Sequence, residues 1–170
     1  MNESLRGAPN LDETDLKILE RVEADFDVNL KTLAEDLDIS KSAVHYRLKK
    51  LKESGVIEGV TADVNPLALG LEMAAITEVS VSHEAGYSEN TGEQLRALRG
   101  VEQVYYTMGD VDFVVISRVQ SREQMNELIE RIVAIDGVKE TSSTFVMREF
   151  HDGGVTSNLT EEAREFVTDG

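Results

Sequence analysis

The side chains best placed for chemistry are a run of basic residues between positions 41 and 52. The basic residues in this window are Lys41, Arg47, Lys49, Lys50 and Lys52, and the window contains no acidic residue. The whole chain has a formal net charge of −16, so the residues outside the window carry −21. A cluster of cations on one short helix can neutralise a polyanion such as the DNA backbone. We therefore predict that this window binds an anionic partner.

Residues 29–57 around this window have the pattern of two short helices joined by a tight turn. Asn29 and Ser40 are suited to cap the two helices, because their side-chain oxygens can accept unpaired N–H groups of a first turn. Asp38 and Ile39 form the predicted turn, and Gly55 stands where a helix stop is expected. Apolar residues at helical spacing provide the buried seam: Leu30, Leu33, Ala34, Leu37, Val44, Leu48 and Leu51.

Two helices with this spacing are typical of a helix-turn-helix, whose second helix enters the major groove of DNA. The basic side chains are predicted to contact phosphates, and Ser42, His45 and Tyr46 are predicted to select the sequence. The alternative is an ordinary solvated helix face, but the caps, the seam and the charge together favour DNA binding. The predicted DNA-binding residues are Lys41, Ser42, His45, Tyr46, Arg47, Lys49, Lys50 and Lys52.

The acidity of the rest of the chain is unusual for a DNA-binding protein. Its sequence pI is about 4.5, so phosphate repulsion opposes a complex unless salt screens it. At about 1 M salt the Debye length is only about 3 Å, and an acidic surface then costs little. We therefore expect a halophilic source, with a different partner for the basic window as the alternative. No apolar run approaches the roughly 20 residues of a membrane span, so we expect a cytoplasmic protein.

The second half of the chain alternates strand and helix patterns in the order β-α-β-β-α-β. The predicted strands cover 71–81, 101–108, 111–119 and 138–150, and the predicted helices cover 93–99 and 122–134, with a long loop over 83–92. This order is the ferredoxin-like split βαβ, a four-stranded antiparallel sheet with both helices on one face. Val104, Tyr106, Val114 and Ile116 are predicted on the other face, which we expect a second subunit to cover.

The remaining segments complete the predicted α+β organisation. The predicted divisions are a flexible 1–10, a winged helix-turn-helix domain over 11–64, a hinge over 65–70, the ferredoxin-like domain over 71–150 and an acidic tail over 151–170. A helix over 12–24 precedes the helix-turn-helix, with Phe26 packed beneath, and the β-rich 56–64 is a wing or an extended linker. The tail could dock through Leu159, Ala163, Phe166 and Val167, or it could be disordered.

Both halves together resemble the leucine-responsive/asparagine regulator (Lrp/AsnC) family of transcription regulators, over Leu11 to about Phe150. The order and spacing of several short patterns carry the resemblance, with no single specific motif among them. In the first half the patterns are Leu11-Asp12-x-x-Asp15-x-x-Ile18-Leu19, Leu33-Ala34-x-x-Leu37-x-Ile39-Ser40, Val44-x-x-Arg47-Leu48-x-x-Leu51 and Gly55-Val56-Ile57. Later patterns are Gly70, Val104 before Gly109-x-x-Asp112, Gly137-Val138 and Thr141. With the acidity, the resemblance favours a halophilic archaeon as the source.

The resemblance implies a winged helix-turn-helix reader of double-stranded DNA joined to a ferredoxin-like (RAM-type) domain. Such a domain forms dimers, which often assemble into tetramers or octamers, and binds amino-acid effectors. The glycine turn could offer N–H groups to a carboxylate while Asp112 accepts an ammonium; a plain β-turn with Asp112 bound to local amides is the alternative. The effector-binding residues implied are Tyr106, Thr107, Met108, Gly109, Asp110, Asp112 and, more weakly, Thr144.

Other classes of function have less support in the sequence. The three histidines, His45, His83 and His151, belong to different predicted elements, and the chain has neither a cysteine nor a phosphate-binding glycine loop. We therefore expect neither an enzyme nor a bound cofactor. A metal-responsive regulator that uses His83 and His151 and an effector-independent protein that organises DNA remain as alternatives on the same scaffold.

Overall fold

The computed structural model describes residues 10–25, 28–59, 61–62, 64–82, 87–150 and 154–168. The chain divides into two compact units, of which the first is Met1–Asp63 with His151–Gly170 and the second is Val64–Phe150. The division falls one residue before the predicted start of the hinge, and the C-terminal tail belongs to the first unit. The predictions for Phe26, His83 and His151 lie outside the described residues.

The first unit begins with three helices: α1 over Glu13–Ala24, α2 over Leu30–Asp36 and α3 over Lys41–Glu53. A reciprocal capping box starts α1, because Asp15 N–H donates to the Asp12 carboxylate while Asp12 N–H donates to the Asp15 carboxylate. One apolar cluster joins the three helices and includes the predicted seam residues of α2 and α3. Its buried members are Leu11, Leu16, Ile18, Leu33, Ala34, Val44 and Leu51.

The segment after α3 is a linker in the part that the structure describes. Residues 56–59 and 61–62 contain no strand. Ile57 N–H donates to the Leu51 carbonyl at 3.1 Å, and both Val56 and Ile57 pack against the helical cluster. Their apolar side chains therefore extend the helical core instead of forming a sheet.

The C-terminal tail docks on α1 of the same unit. Helix α6 covers Glu161–Thr168, and its Arg164 forms ion pairs with Glu13 at 3.5 Å and with Glu20. The Glu23 carboxylate accepts the N–H groups of Val155 at 2.6 Å and Thr156 at 2.8 Å. Leu159 and Val167 pack against the apolar cluster, and Leu11 N–H donates to the Val167 carbonyl. Of the two alternatives for the tail, the structure therefore shows docking over residues 154–168.

The second unit has the ferredoxin-like order predicted from the sequence. After a 3₁₀ turn over Pro66–Leu69, it runs β1 Met73–Val81, α4 Tyr87–Arg96, β2 Val101–Tyr106, β3 Phe113–Val119, α5 Arg122–Val133 and β4 Val138–Phe145. The sheet order is β2-β3-β1-β4, and every pairing is antiparallel. Helices and sheet share one core, which includes Val79, Leu95, Phe113, Val115, Met125 and Ile132.

Two element boundaries in this unit differ from the prediction. Helix α4 begins at Tyr87 instead of 93, so residues predicted as a loop up to 92 are helical from Tyr87. Gly92 was predicted as a loop residue, but its lack of a side chain serves packing within the fold. A Cβ there would lie 3.3 Å from the Phe113 ring. Strand β4 ends at Phe145 instead of 150, because Phe145 is the last residue paired with β1.

The predicted composition of the open sheet face was wrong at two positions. Val104 pairs with Val115 and Tyr106 pairs with Phe113, so both lie on the side that the helices cover. The Tyr106 and Phe113 rings approach to 5.2 Å between centroids. A register shift between Val101 and Gln103 changes the alternation of β2 and causes the difference.

The open face therefore carries Tyr105 in place of Tyr106. Tyr105 pairs with Val114, and Ile116 pairs with Ile76 on the central strands. Tyr105 is 53% exposed and Ile76 is 39% exposed. The apolar character predicted for this face is thus present, with a changed set of residues.

Replacing Glu23 by Gln should weaken tail docking in a pH-dependent way. Burial acts to raise the pKa of Glu23, but hydrogen bonds from Thr156 and Val155 outweigh it and hold the pKa below 4.5. A carboxyl with a lowered native pKa stabilises the fold above its unfolded pKa, and this contribution is lost as pH falls through the native value. We expect Glu23→Gln to lower the thermal midpoint at pH 7, with a difference from wild type that shrinks below about pH 4.

Thermal melts at several pH values, monitored by circular dichroism in concentrated KCl, test this expectation. Glu53→Gln is the matched control, because Glu53 is an exposed carboxylate on α3 whose partner is a lysine. A Glu23→Gln difference that is the same at pH 7 and pH 3.5 would contradict the assigned role of the carboxylate.

Candidate DNA-binding interface and effector loop

The turn between α2 and α3 is built by the side chains that the sequence analysis predicted as caps. The Asn29 side chain accepts the N–H groups of Lys31 and Thr32, both at 2.9 Å, and the Ser40 hydroxyl accepts Ala43 N–H at 3.1 Å. Asp38 has a φ of 52°, a left-handed conformation that Asp tolerates better than most residues. Ile39 N–H donates back to the Ala34 carbonyl, which closes the turn.

One side of α3 is buried and the opposite side is exposed. Val44 and Leu51 are buried in the core, and Leu48 is partly buried beside them. Helical spacing places Ser42, Tyr46 and Lys49 at the centre of the opposite side, because positions four and seven residues apart share a face. All the predicted DNA-binding residues except Arg47 are exposed: Lys41, Ser42, His45, Tyr46, Lys49, Lys50 and Lys52.

The exposed side of α3 also carries one acid that the predicted window left out. Lys49 Nζ lies 3.6 Å from the Glu53 carboxylate, and both side chains are about two-thirds exposed. A pair of this kind contributes little, so Lys49 can exchange Glu53 for a phosphate. Lys41, Lys50 and Lys52 form no ion pair within the described part of the chain.

Arg47 makes two ion pairs that were not predicted from the sequence. Its Nη1 donates to Asp12 Oδ2 at 2.6 Å and to Asp15 Oδ1 at 2.7 Å, and its side chain is 28% exposed. The Asp15 side chain is 4% exposed, so the arginine supplies the partner that this carboxylate needs inside the unit. In the structure Arg47 therefore joins α3 to α1, and the phosphate contact predicted for it stays a prediction.

The pKa values of Arg47 and Asp12 shift in the directions that stabilise this link. Hydrogen bonds to Asp15 and Asp12 raise the pKa of Arg47 above its usual value. Burial acts to raise the pKa of Asp12, but the hydrogen bonds from Arg47 and from the Asp15 N–H outweigh it and lower the pKa. The link is therefore charged at neutral pH.

Six of the seven predicted effector residues lie together on the connection between β2 and β3. Tyr106 ends β2, and residues 107–112 lead to the start of β3. The Met108 side chain is fully exposed, Tyr106 is 62% exposed, and a Cβ at Gly109 would meet nothing within 4 Å. The tip of this loop is therefore open to a ligand or a partner.

The polar groups at the base of this loop already make local hydrogen bonds. Asp112 Oδ2 accepts the Val81 N–H at 2.8 Å, and Asp112 N–H donates to the Val79 carbonyl. Thr107 N–H donates to the Asp112 carbonyl, and its hydroxyl donates to Val111. These contacts fit the simpler alternative, in which Asp112 satisfies nearby amides, and they fix the carboxylate at the end of the sheet.

Thr144 lies apart from the loop in this chain. It pairs with Ile76, and its strand β4 is separated from β3 by β1. A strand spacing of about 4.8 Å puts two strands near 10 Å apart, so Thr144 cannot contact the same small ligand as Gly109 within one protomer.

The described part of the chain contains no group of three or more His, Asp or Glu side chains arranged to hold a metal ion. Among the same residues, no helix is long and apolar enough to cross a membrane.

Each of the two units matches a known protein family. Residues 11–58 match a winged helix-turn-helix DNA-binding domain, and residues 74–156 match the Lrp/AsnC ligand binding domain. The HTH-type transcriptional regulator FL11 of Pyrococcus furiosus is 35% identical over 138 residues, which cover 81% of this chain and 90% of the relative.

Two solved structures share the fold. Escherichia coli AsnC has a TM-score of 0.78 at 24% identity, and the match covers 86% of this chain and 98% of that one. A transcriptional regulator of Neisseria meningitidis, solved in complex with L-Met, has a TM-score of 0.80 at 23% identity, covering 84% of this chain and 94% of that one.

Fold, exposed basic helix and relatives together define a DNA-binding transcription regulator with a ligand-binding domain. The chain belongs to the Lrp/AsnC family. The Pyrococcus relative named above is a regulator of transcription.

Replacing Arg47 by Met should destabilise the first unit, because it leaves the buried Asp15 carboxylate without its cation. Breaking a hydrogen-bonded charge pair of this kind costs about 2–3 kcal/mol. Urea unfolding monitored by circular dichroism measures the change. Lys50→Met removes one exposed cation of α3 and is the matched control, with an expected effect within about 0.5 kcal/mol. Equal midpoints for Arg47→Met and Lys50→Met would contradict the link between α1 and α3.

Proposed function

We propose that this protein is a sequence-specific transcription regulator whose DNA occupancy changes when an amino acid or similar small effector binds at an oligomer interface. The observation that carries the proposal is the exposed basic side of α3, opposite a buried seam, in an acidic chain. The positive side is held outward because the core and the Arg47 pairs fix the other side.

Phosphate contact and base contact fall to different residues in this proposal. Lys41, Lys50 and Lys52 contact phosphates on either side of the groove, and Lys49 joins them by leaving Glu53. Ser42, His45 and Tyr46 face the base edges, where hydroxyl and ring groups can select a sequence. Two such helices in a dimer meet half-sites about one helical turn apart.

The charge of the chain sets the conditions under which this works. An acidic surface repels DNA over long distances at low salt, whereas concentrated salt shortens the repulsion to a few ångströms. We therefore propose a halophilic setting, in which the local lysine contacts outweigh the overall charge of −16.

Assembly and effector binding belong to the second unit. The open sheet face, with Tyr105, Val114, Ile116 and Ile76, is apolar enough to favour a homodimer, from which tetramers or octamers can be built. The exposed loop from Tyr106 to Asp112 is the proposed effector site, and the L-Met complex of the Neisseria regulator supports an amino acid as ligand. Thr144 could contribute to that site only from another protomer.

Replacing Lys49 by Glu should abolish specific DNA binding without unfolding the first unit. The change places a carboxylate at the centre of the exposed side of α3, where it faces phosphate or base edges. Fluorescence anisotropy with the protein's own upstream DNA in molar KCl measures binding. Lys139→Glu makes the same charge change on an exposed position of β4 and is the control. Unchanged affinity in Lys49→Glu would contradict the assignment of α3 as the recognition helix.

Replacing Asp112 by Asn should remove the amino-acid response while DNA binding remains. The amide retains an oxygen for the Val81 N–H but loses the charge that an ammonium group needs. Wild-type affinity should change by about 5- to 150-fold with the right amino acid, the usual range of such coupling. The same anisotropy assay with a panel of twenty amino acids measures it, and Glu130→Gln on α5 is the control. A response retained in Asp112→Asn would move the effector site elsewhere.

A further inference from the structure

A cavity in the ligand-binding unit lies at the opposite end of β3 from the 107–112 loop. Its volume is about 310 Å³, and its walls include Arg99, Arg118 and Arg131. Leu71, Val119 and Leu128 provide apolar lining. Strand residues advance about 3.3 Å each, so the seven positions from Asp112 to Val119 separate the two places by roughly 20 Å.

The three arginines of this cavity differ in their ion pairs. Arg118 is 11% exposed and already paired, since Nε donates to Glu102 at 2.9 Å and Nη2 donates to Glu149 at 2.5 Å. Arg99 and Arg131 form no ion pair within the described residues, although the chain has 33 acidic and 17 basic side chains. Two guanidinium groups, Arg99 between α4 and β2 and Arg131 on α5, thus line one cavity without an ion-pair partner among the described residues.

The other charge in the lining limits the ligands that fit. Glu127 lies on α5 one turn before Arg131, and it opposes a ligand with two negative charges. With Arg118 and its two glutamates counted, three arginines stand beside three carboxylates and the charges sum to zero. The cavity therefore offers two unpaired guanidinium groups to one anionic group without favouring a dianion. The planar fork of arginine matches a carboxylate with two parallel hydrogen bonds, and the apolar lining suits an aliphatic body.

We propose that this cavity binds the carboxylate group of a small aliphatic molecule, with Arg99 and Arg131 as the recognising residues. The site is separate from the effector loop, and the proposal does not depend on a ligand at that loop. A free aliphatic acid and an aliphatic amino acid share this chemistry and differ only in the ammonium group, which Glu127 would contact.

The cavity lies beside the turn that precedes β1, so a bound ligand could affect that turn. Gln120 also lines the cavity, and its Nε2 donates to the Leu69 carbonyl at 3.3 Å. Leu69 ends the 3₁₀ turn over Pro66–Leu69, which precedes β1. A ligand that engages Gln120 would therefore compete with the hydrogen bond that joins Gln120 to this turn of the same unit.

Isothermal titration of the full-length protein with three matched probes tests the proposal. The probes are 4-methylpentanoate, L-leucine, which adds an ammonium group, and 3-methylbutylamine, which lacks the carboxylate. We expect at least one carboxylate probe to bind and the amine not to bind. Glu127→Gln then distinguishes an amino acid from a free acid as the ligand. The variant should bind L-leucine more weakly and 4-methylpentanoate more tightly than the wild type does.

The variants locate the binding. Arg99→Gln and Arg131→Gln should each lower the affinity for the carboxylate probe by about tenfold or more. Each change removes hydrogen bonds between charged groups, which are stronger than those between neutral groups. Arg122→Gln, an exposed arginine of α5 outside the lining, should leave affinity unchanged and is the control. Three results would overturn the proposal: no binding of either carboxylate, equal binding of the amine, or binding that persists in the double variant. Binding lost only in Asp112→Asn would overturn it too, while supporting the effector loop.

Discussion

The first unit depends on the link between Arg47 of α3 and the two aspartates at the start of α1. Asp12 and Asp15 cap α1 through each other's backbone N–H groups, and the same two carboxylates receive the guanidinium. A nearly buried carboxylate such as Asp15 is costly without a cation, so α3 is held in the one orientation that supplies it. That orientation buries Val44 and Leu51 and turns the lysines outward.

A division of labour between arginine and lysine follows from the same physics. Arg47, Arg118 and Arg164 each join two carboxylates from other elements and hold the fold of their own unit together. The flat arginine fork suits such fixed bidentate geometry, whereas lysine is a mobile point charge on a flexible stem. The lysines of α3 are accordingly exposed and suited to phosphates, in a chain whose many acids could otherwise neutralise them.

Local chemistry made much of this architecture predictable from the sequence. The structure confirms three predictions that rest on local patterns. The caps at Asn29 and Ser40 follow from the preference of these residue types for a helix start, and the seam of Val44 and Leu51 follows from helical spacing. The βαββαβ order follows from the alternation of strand and helix patterns along the chain. The role of Arg47 could not be read from charge alone, because its partners lie 32 and 35 positions away. A signal was nevertheless present, since Arg47 falls beside the buried seam on a helical projection, where a solvated cation is unexpected.

Two errors in the second unit arose from contacts between distant segments. The register shift in β2 placed Tyr106 against Phe113, and strict alternation cannot predict such a shift. Gly92 was predicted to lie in a loop because glycine is rare within helices. Its contact with the Phe113 ring, which explains the glycine, involves a distant segment. The docking of the tail on Glu13, Glu20 and Glu23 likewise depends on pairings across more than 130 residues, which no local pattern encodes.

The most direct test of the account is photo-crosslinking from two exposed tyrosine positions, one in each unit. Tyr46 on α3 is 69% exposed and Tyr105 on β2 is 53% exposed, so each can carry a photoreactive phenylalanine analogue without disturbing a core. We predict a covalent adduct with the protein's own upstream duplex from position 46 and none from position 105, in molar KCl. An adduct from position 105 alone, or none from position 46 under conditions where the duplex is bound, would contradict it.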